Sequence, residues 1–120
     1  LVLTLAILLL ALPQAGFAQQ NTAPQPLYVV THIDIIGPHL ADATKLLQEF
    51  VTDSRKDPGS VRFELLQELS RRNHFTMVEI WQTRQAFEDH LAVEHSRRFR
   101  EKLQPMLGSP FDERLHSLMQ

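Results

Sequence analysis

The sequence predicts an α+β domain in which a four-stranded antiparallel sheet carries two helices on one face. Three observations predict it. Four stretches alternate in the two-residue period of a half-buried strand, two others repeat apolar residues at helical spacing, and breaks rich in Gly, Pro and polar residues separate them.

The first strand is LYVVTHIDIIG, residues 27–37, rich in β-branched side chains. Val29, Thr31, Ile33 and Ile35 fall on one face, and Tyr28, Val30, His32, Asp34 and Ile36 on the other. Gly37-Pro38 stops it. From His39 to about Lys56 the spacing becomes helical, with Leu40, Ala43, Leu47, Phe50, Val51 and Ser54 on one stripe. Asp57-Pro58-Gly59 has the composition of a tight turn. The second strand, 60–69, sets Val61, Phe63 and Leu65 against Arg62 and Glu64, and Ser70-Arg71-Arg72-Asn73 makes a hairpin loop. In the third, 74–81, Phe75, Met77, Glu79 and Trp81 share a face opposite Thr76, Val78 and Ile80. Thr83 is placed to cap a second helix running to about Leu103, with Phe87, Leu91, Ala92, His95 and Phe99 on its inner stripe. After QPMLGSP, residues 111–119 form a last strand with Phe111, Glu113, Leu115 and Ser117 on one face.

The order β-α-β-β-α-β is the split-βαβ, or ferredoxin-like, topology. Two helices cover only one face of such a sheet. The uncovered face still carries apolar residues on several strands, which predicts a homodimer joined through it.

Residues 1–18 read as a signal peptide: an uncharged apolar run, then Gly16-Phe17-Ala18, with cleavage expected after Ala18. The run is short beside the ~20 apolar residues of a membrane span. Residues 19–26, QQNTAPQP, form a linker, and 27–120 the domain. The implied location is periplasmic or secreted, with no membrane attachment after cleavage. There is no cysteine, so disulfides, thiol catalysis and Fe–S ligation are excluded. A formal charge of −2, with acids and bases intermixed, gives no electrostatic case for nucleic acid. No Gly-rich phosphate loop and no G-x-S-x-G motif is present.

Apart from His32 on the first strand, the candidate site residues cluster after the third strand begins. Glu79 and Trp81 point the same way, and a glutamate on an apolar strand face costs stability unless it is partnered. They read either as core tryptophan with rim glutamate, or as the wall and proton acceptor of an aromatic pocket. His95, between Leu91 and Phe99, is either a core histidine bonded to a backbone carbonyl or a proton-transfer group between helix and sheet. His90 and Glu94 have metal-ligand spacing, but on one continuous helix His95 lies about 140° round from His90. No metal site is therefore expected, and His90 is expected to face water. His32 shares its strand face with Asp34, as a substrate contact or a polar link between subunits.

Taken in order, Asp57-Pro58-Gly59-Ser60-Val61-Arg62-Phe63-Glu64-Leu65, then Phe75-Thr76-Met77-Val78-Glu79-Ile80-Trp81, then Ala86-Phe87-Glu88-Asp89-His90-Leu91 and His95 resemble the antibiotic biosynthesis monooxygenase domain, a family that includes quinol monooxygenases. The resemblance runs from about Tyr28 to Met119 and implies a dimeric α+β barrel. It implies monooxygenation of a small aromatic or quinol-type substrate by O2, with no metal or organic cofactor. By position it makes Trp81, His95 and Glu79 the catalytic candidates and Phe75, Phe87 and Phe99 apolar walls, without identifying the base. A non-catalytic small-molecule binding or sensing dimer is the alternative, since many relatives have no demonstrated substrate. A sister branch degrades haem with a strand Asn, a Trp and a helix His. Trp81 fits that Trp, but His32 and Arg100 stand where the Asn and the ligand His belong.

Overall fold

The computed structural model describes residues 23–120 together with Val2, Ala11 and Gly16. The expected signal peptide, apart from those three positions, and the start of the linker lie outside the described residues. Among the described residues no helix is long and apolar enough to cross a membrane.

The chain forms β1 (Leu27–Asp34), α1 (Leu40–Ser54), β2 (Ser60–Gln67), β3 (His74–Trp81), α2 (Arg84–Ala92), α3 (Glu94–Leu103) and β4 (Asp112–His116). Short 3₁₀ turns precede α1 and follow α3. The four strands make one antiparallel sheet in the order β2-β3-β1-β4. This is the ferredoxin-like α+β fold, with three helices on one face. Val29, Ile33, Phe63, Phe75, Met77 and Trp81 point from the sheet into the core, where they meet Leu47 and Phe50 of α1 and Phe87 and Phe99 of α2 and α3. The period-two pattern decided this placement, because a one-residue slip would turn every core side chain to the far face.

The strands differ from expectation at their ends. β1 stops at Asp34, and Ile35 makes an isolated bridge to Leu107. β4 is only five residues long, leaving Leu118 and Met119 exposed beyond it. Between Ser60 and Arg62 the β2–β3 register shifts, so Val61 leaves the apolar face and is largely exposed. On the uncovered face Tyr28 pairs with Ile80 and Val30 with Val78, all half-buried, with Leu66 half-exposed on β2.

The main correction concerns the second helix. Thr83 caps it as expected, its side chain accepting from the Ala86 N–H at 3.0 Å. The helix then breaks at Val93, whose extended backbone (φ −71°, ψ 155°) ends α2 and starts α3. A β-branched residue followed by Glu94 in the first turn of the next helix suits such a restart, because an acid there complements the N-terminal dipole. Past the break the inner stripe consists of Ser96, Phe99 and Leu103, and Ala92 is exposed.

Candidate active site between β3 and the broken helix

The site is built on three supports: the inner face of β3, the turn between α1 and β2, and the two halves of the broken helix. On β3, Glu79 and Trp81 are adjacent inward positions and both are buried, Glu79 to 1% exposure. The Trp81 indole N–H donates to Glu79 Oε2 at 2.7 Å. That partner offsets only part of the cost of an ionised carboxyl in this setting. Burial pushes the Glu79 pKa up to about 7, the Trp81 hydrogen bond pulls it down, and nearby Glu113 adds to the rise. Arg100 works against the rise, but its guanidinium is committed to Glu113 Oε2 at 2.7 Å and lies over the Phe111 ring.

The turn supplies Asp57. Gly59 adopts φ +83°, and a Cβ there would run into Ala86 on α2, so only glycine lets the turn close this tightly on the helix. The closure brings the Asp57 carboxylate to both helix histidines. Oδ2 lies 2.7 Å from His90 Nδ1 and 2.8 Å from His95 Nε2. An ionised carboxylate only accepts, so each imidazole presents its N–H to that oxygen.

Two expectations are overturned here. His90 does not face water: it is 3% exposed, its ring 4.6 Å from that of Trp81 and 5.6 Å from that of Phe50. Nor are His90 and His95 kept apart, because the 140° separation holds only on a continuous helix, and the break at Val93 swings α3 so that both rings reach Asp57. Burial holds the His90 imidazole below its ordinary pKa, although the Asp57 hydrogen bond pulls the other way. The His95 side chain keeps 28% of its exposure and bonds to Asp57 rather than to a backbone carbonyl.

Of the remaining candidates, Phe87 packs near Trp81 and Phe99 stacks face to face on Phe50, centroids 3.8 Å apart. Phe63 of β2, not singled out in the sequence, meets Trp81 edge-on. Phe75 is in the core but lines a different groove, at the far end of the sheet, of about 850 Å³. His32 is exposed on the uncovered face, 3.3 Å from Thr76, and lines that same groove. It does not join Trp81, because it has the opposite strand parity. Near His95, a depression of about 90 Å³ is lined by Phe50, Phe99 and charged residues of α1 and α3. It is smaller than the ~300 Å³ of an ordinary small-molecule pocket, and the stacked Phe50 and Phe99 form part of its lining.

Residues 26–102 match the sequence profile of the antibiotic biosynthesis monooxygenase family, well over half of the chain. The chain belongs to that family. An uncharacterized protein of Synechocystis is 24% identical over 108 residues, covering 89% of this chain and 74% of that protein. Among solved structures, Rv0793 of Mycobacterium tuberculosis superposes with a TM-score of 0.76 at 17% identity, covering 80% of this chain and 97% of that one. A structure described as an antibiotic biosynthesis monooxygenase gives 0.75 at 22% identity, covering 78% and 99%. At these identities the structural likenesses carry the fold. The family profile spans the Asp57 turn, all of β3 and nearly all of the broken helix, so the whole histidine–carboxylate cluster lies inside the family domain.

Proposed function

We propose that this protein is a monooxygenase that oxidises a small aromatic or quinol-type substrate with O2, without flavin or haem. The observation that carries the reading is Glu79: a carboxyl buried against an indole, with its pKa raised to about 7. A general base works best when its pKa lies near the operating pH, and burial of this kind is how proteins bring a carboxylate there.

In this reading a flat substrate slides between α1 and α3, displaces the Phe50–Phe99 stack and lies along Trp81. Glu79 takes the hydroxyl proton of the substrate, and the resulting electron-rich anion reduces O2. With no external reductant the substrate supplies every electron. A ring CH2, or the tautomeric phenol C–H, becomes C=O, and the second oxygen atom leaves as water. His95, held by Asp57 beside the opening, serves the proton transfers to reduced oxygen. The apolar sheet face supports a homodimer, and the uncharged apolar run read in residues 1–18 of the sequence supports export.

The test is O2 uptake by the purified protein against a panel of reduced quinols and phenols, compared with autoxidation. Uptake is expected, and it should fall in folded Glu79→Gln and His95→Ala variants. No uptake across the panel, together with ligand-induced rises in melting temperature, would replace turnover with a binding role. Undiminished uptake in both folded variants would remove these residues from the mechanism.

A further inference from the structure

We propose that Asp57, His90 and His95 form a binding site for one divalent transition-metal ion. The inference does not rest on the oxygenase reading, and the two use His95 differently: an ion on His95 Nε2 takes the place of the Asp57 hydrogen bond that holds the ring for proton transfer. The inference rests on where three side chains from separate elements converge. One ligand atom from each lies within 4.8 Å of the others, and both imidazole nitrogens already point at Asp57 Oδ2.

The distances decide what occupation requires. Metal–nitrogen and metal–oxygen bonds of ~2.0–2.2 Å set the ligand atoms of a tetrahedral site roughly 3.3 Å apart. The present nitrogen–oxygen distances are 2.7 and 2.8 Å. Withdrawing the carboxylate by about half an ångström, together with bringing the two imidazole nitrogens, which lie within 4.8 Å of each other, to the same ~3.3 Å spacing, makes room for the ion at bond lengths normal for such sites. A neutral imidazole ligates through a bare nitrogen, so at each histidine the ion displaces the proton from the nitrogen facing Asp57 and the other ring nitrogen carries the remaining proton. Two imidazoles and one carboxylate favour zinc, cobalt or ferrous iron over magnesium or calcium, which prefer oxygen ligands throughout. Three protein ligands leave a coordination position for water or a small ligand.

The scaffold favours the site as well. His90 is fixed by burial against Trp81, Asp57 by the closed turn at Gly59, and His95 by the restart of the helix after Val93. His95 also opens on the surface depression beside Phe50, which gives an ion a route in. The other histidine–carboxylate group of the fold lacks this geometry. His74 turns Nε2 toward Asp34 at 3.4 Å and Nδ1 toward Glu68 at 3.9 Å, so its two acids lie on opposite sides of the ring and cannot share an ion with it.

The experiment is calorimetric titration of chelator-stripped protein with Zn²⁺, paralleled by Co²⁺ titration read in the visible absorption spectrum. One Zn²⁺ per chain is expected, with Co²⁺ giving the intense d–d bands of a four-coordinate site. Asp57→Asn and His95→Gln, verified as folded by circular dichroism, should each weaken binding by roughly tenfold or more. His116→Ala, an exposed histidine on β4, should leave it unchanged. Absence of stoichiometric Zn²⁺ binding to the parent protein overturns the proposal and leaves Asp57 as a hydrogen-bonding clasp for two imidazoles. Equal Zn²⁺ affinity in the parent and both site variants overturns it too, by placing the ion elsewhere.

Discussion

Replacing Glu79 by glutamine removes the charge while keeping an oxygen for the Trp81 indole, so it isolates what ionisation costs in this core. The folded carboxyl has a pKa of about 7 against an ordinary value of 4.5. Below 4.5 both folded and unfolded chains hold the proton, and the stability contributed by the tighter folded-state proton is fully present. As pH rises from 4.5 toward 7 the unfolded chain releases its proton first, so stability falls, and above 7 the contribution is gone. At about 1.4 kcal/mol per pH unit the whole span is worth roughly 3 kcal/mol, most of which falls between about pH 5 and pH 8.5. His90 slopes the other way, because its lowered pKa makes stability fall as pH drops below its ordinary value of 6.5. That slope is common to both proteins and cancels in their difference. The assay is urea unfolding of parent and Glu79→Gln at the two pH values. The variant should gain on the parent by roughly 2–3 kcal/mol between them, or roughly 10–20 °C in melting temperature for a domain of this size. A stability difference independent of pH would refute the reasoning, because it would mean that Glu79 ionises in the folded protein as easily as in the unfolded one.

Gly59→Ala should lower stability by more than about 1–2 kcal/mol, the cost of left-handed backbone in an L-residue, because the new methyl also collides with Ala86. Thermal unfolding reads it, and an unchanged melting temperature would show that the turn does not need glycine to close on α2. Ile80→Glu, on the uncovered sheet face, should halve the mass seen in sedimentation equilibrium by placing a charge in the proposed dimer interface. A parent protein that is already monomeric at tens of micromolar would dismiss the dimer.

The sequence by itself determined the layers of this protein. Alternation in 27–34 and 74–81 set which side chains face the helices, since strand parity is local and binary. The helical stripe of α1, the Thr83 cap and the turn at Asp57-Pro58-Gly59 were equally legible, because each depends on a few adjacent residues. Glu79 and Trp81 stood out for the same reason: an acid beside a tryptophan on an apolar strand face is visible in the text of the chain.

Only the tertiary structure decided the rest of the site. Whether the second helix runs straight or breaks at Val93 depends on what its two halves pack against, and that break determines whether His90 and His95 diverge or meet. Asp57, 33 residues from His90 along the chain, reads locally as a turn residue. Its second role appears only when Gly59 lets the turn close on α2. His32 shows the converse: its chemistry suited a site, but parity had already placed it on the other face. Local pattern fixes which way a side chain points, whereas the meeting of residues distant in sequence is a property of packing, and no window of sequence contains it.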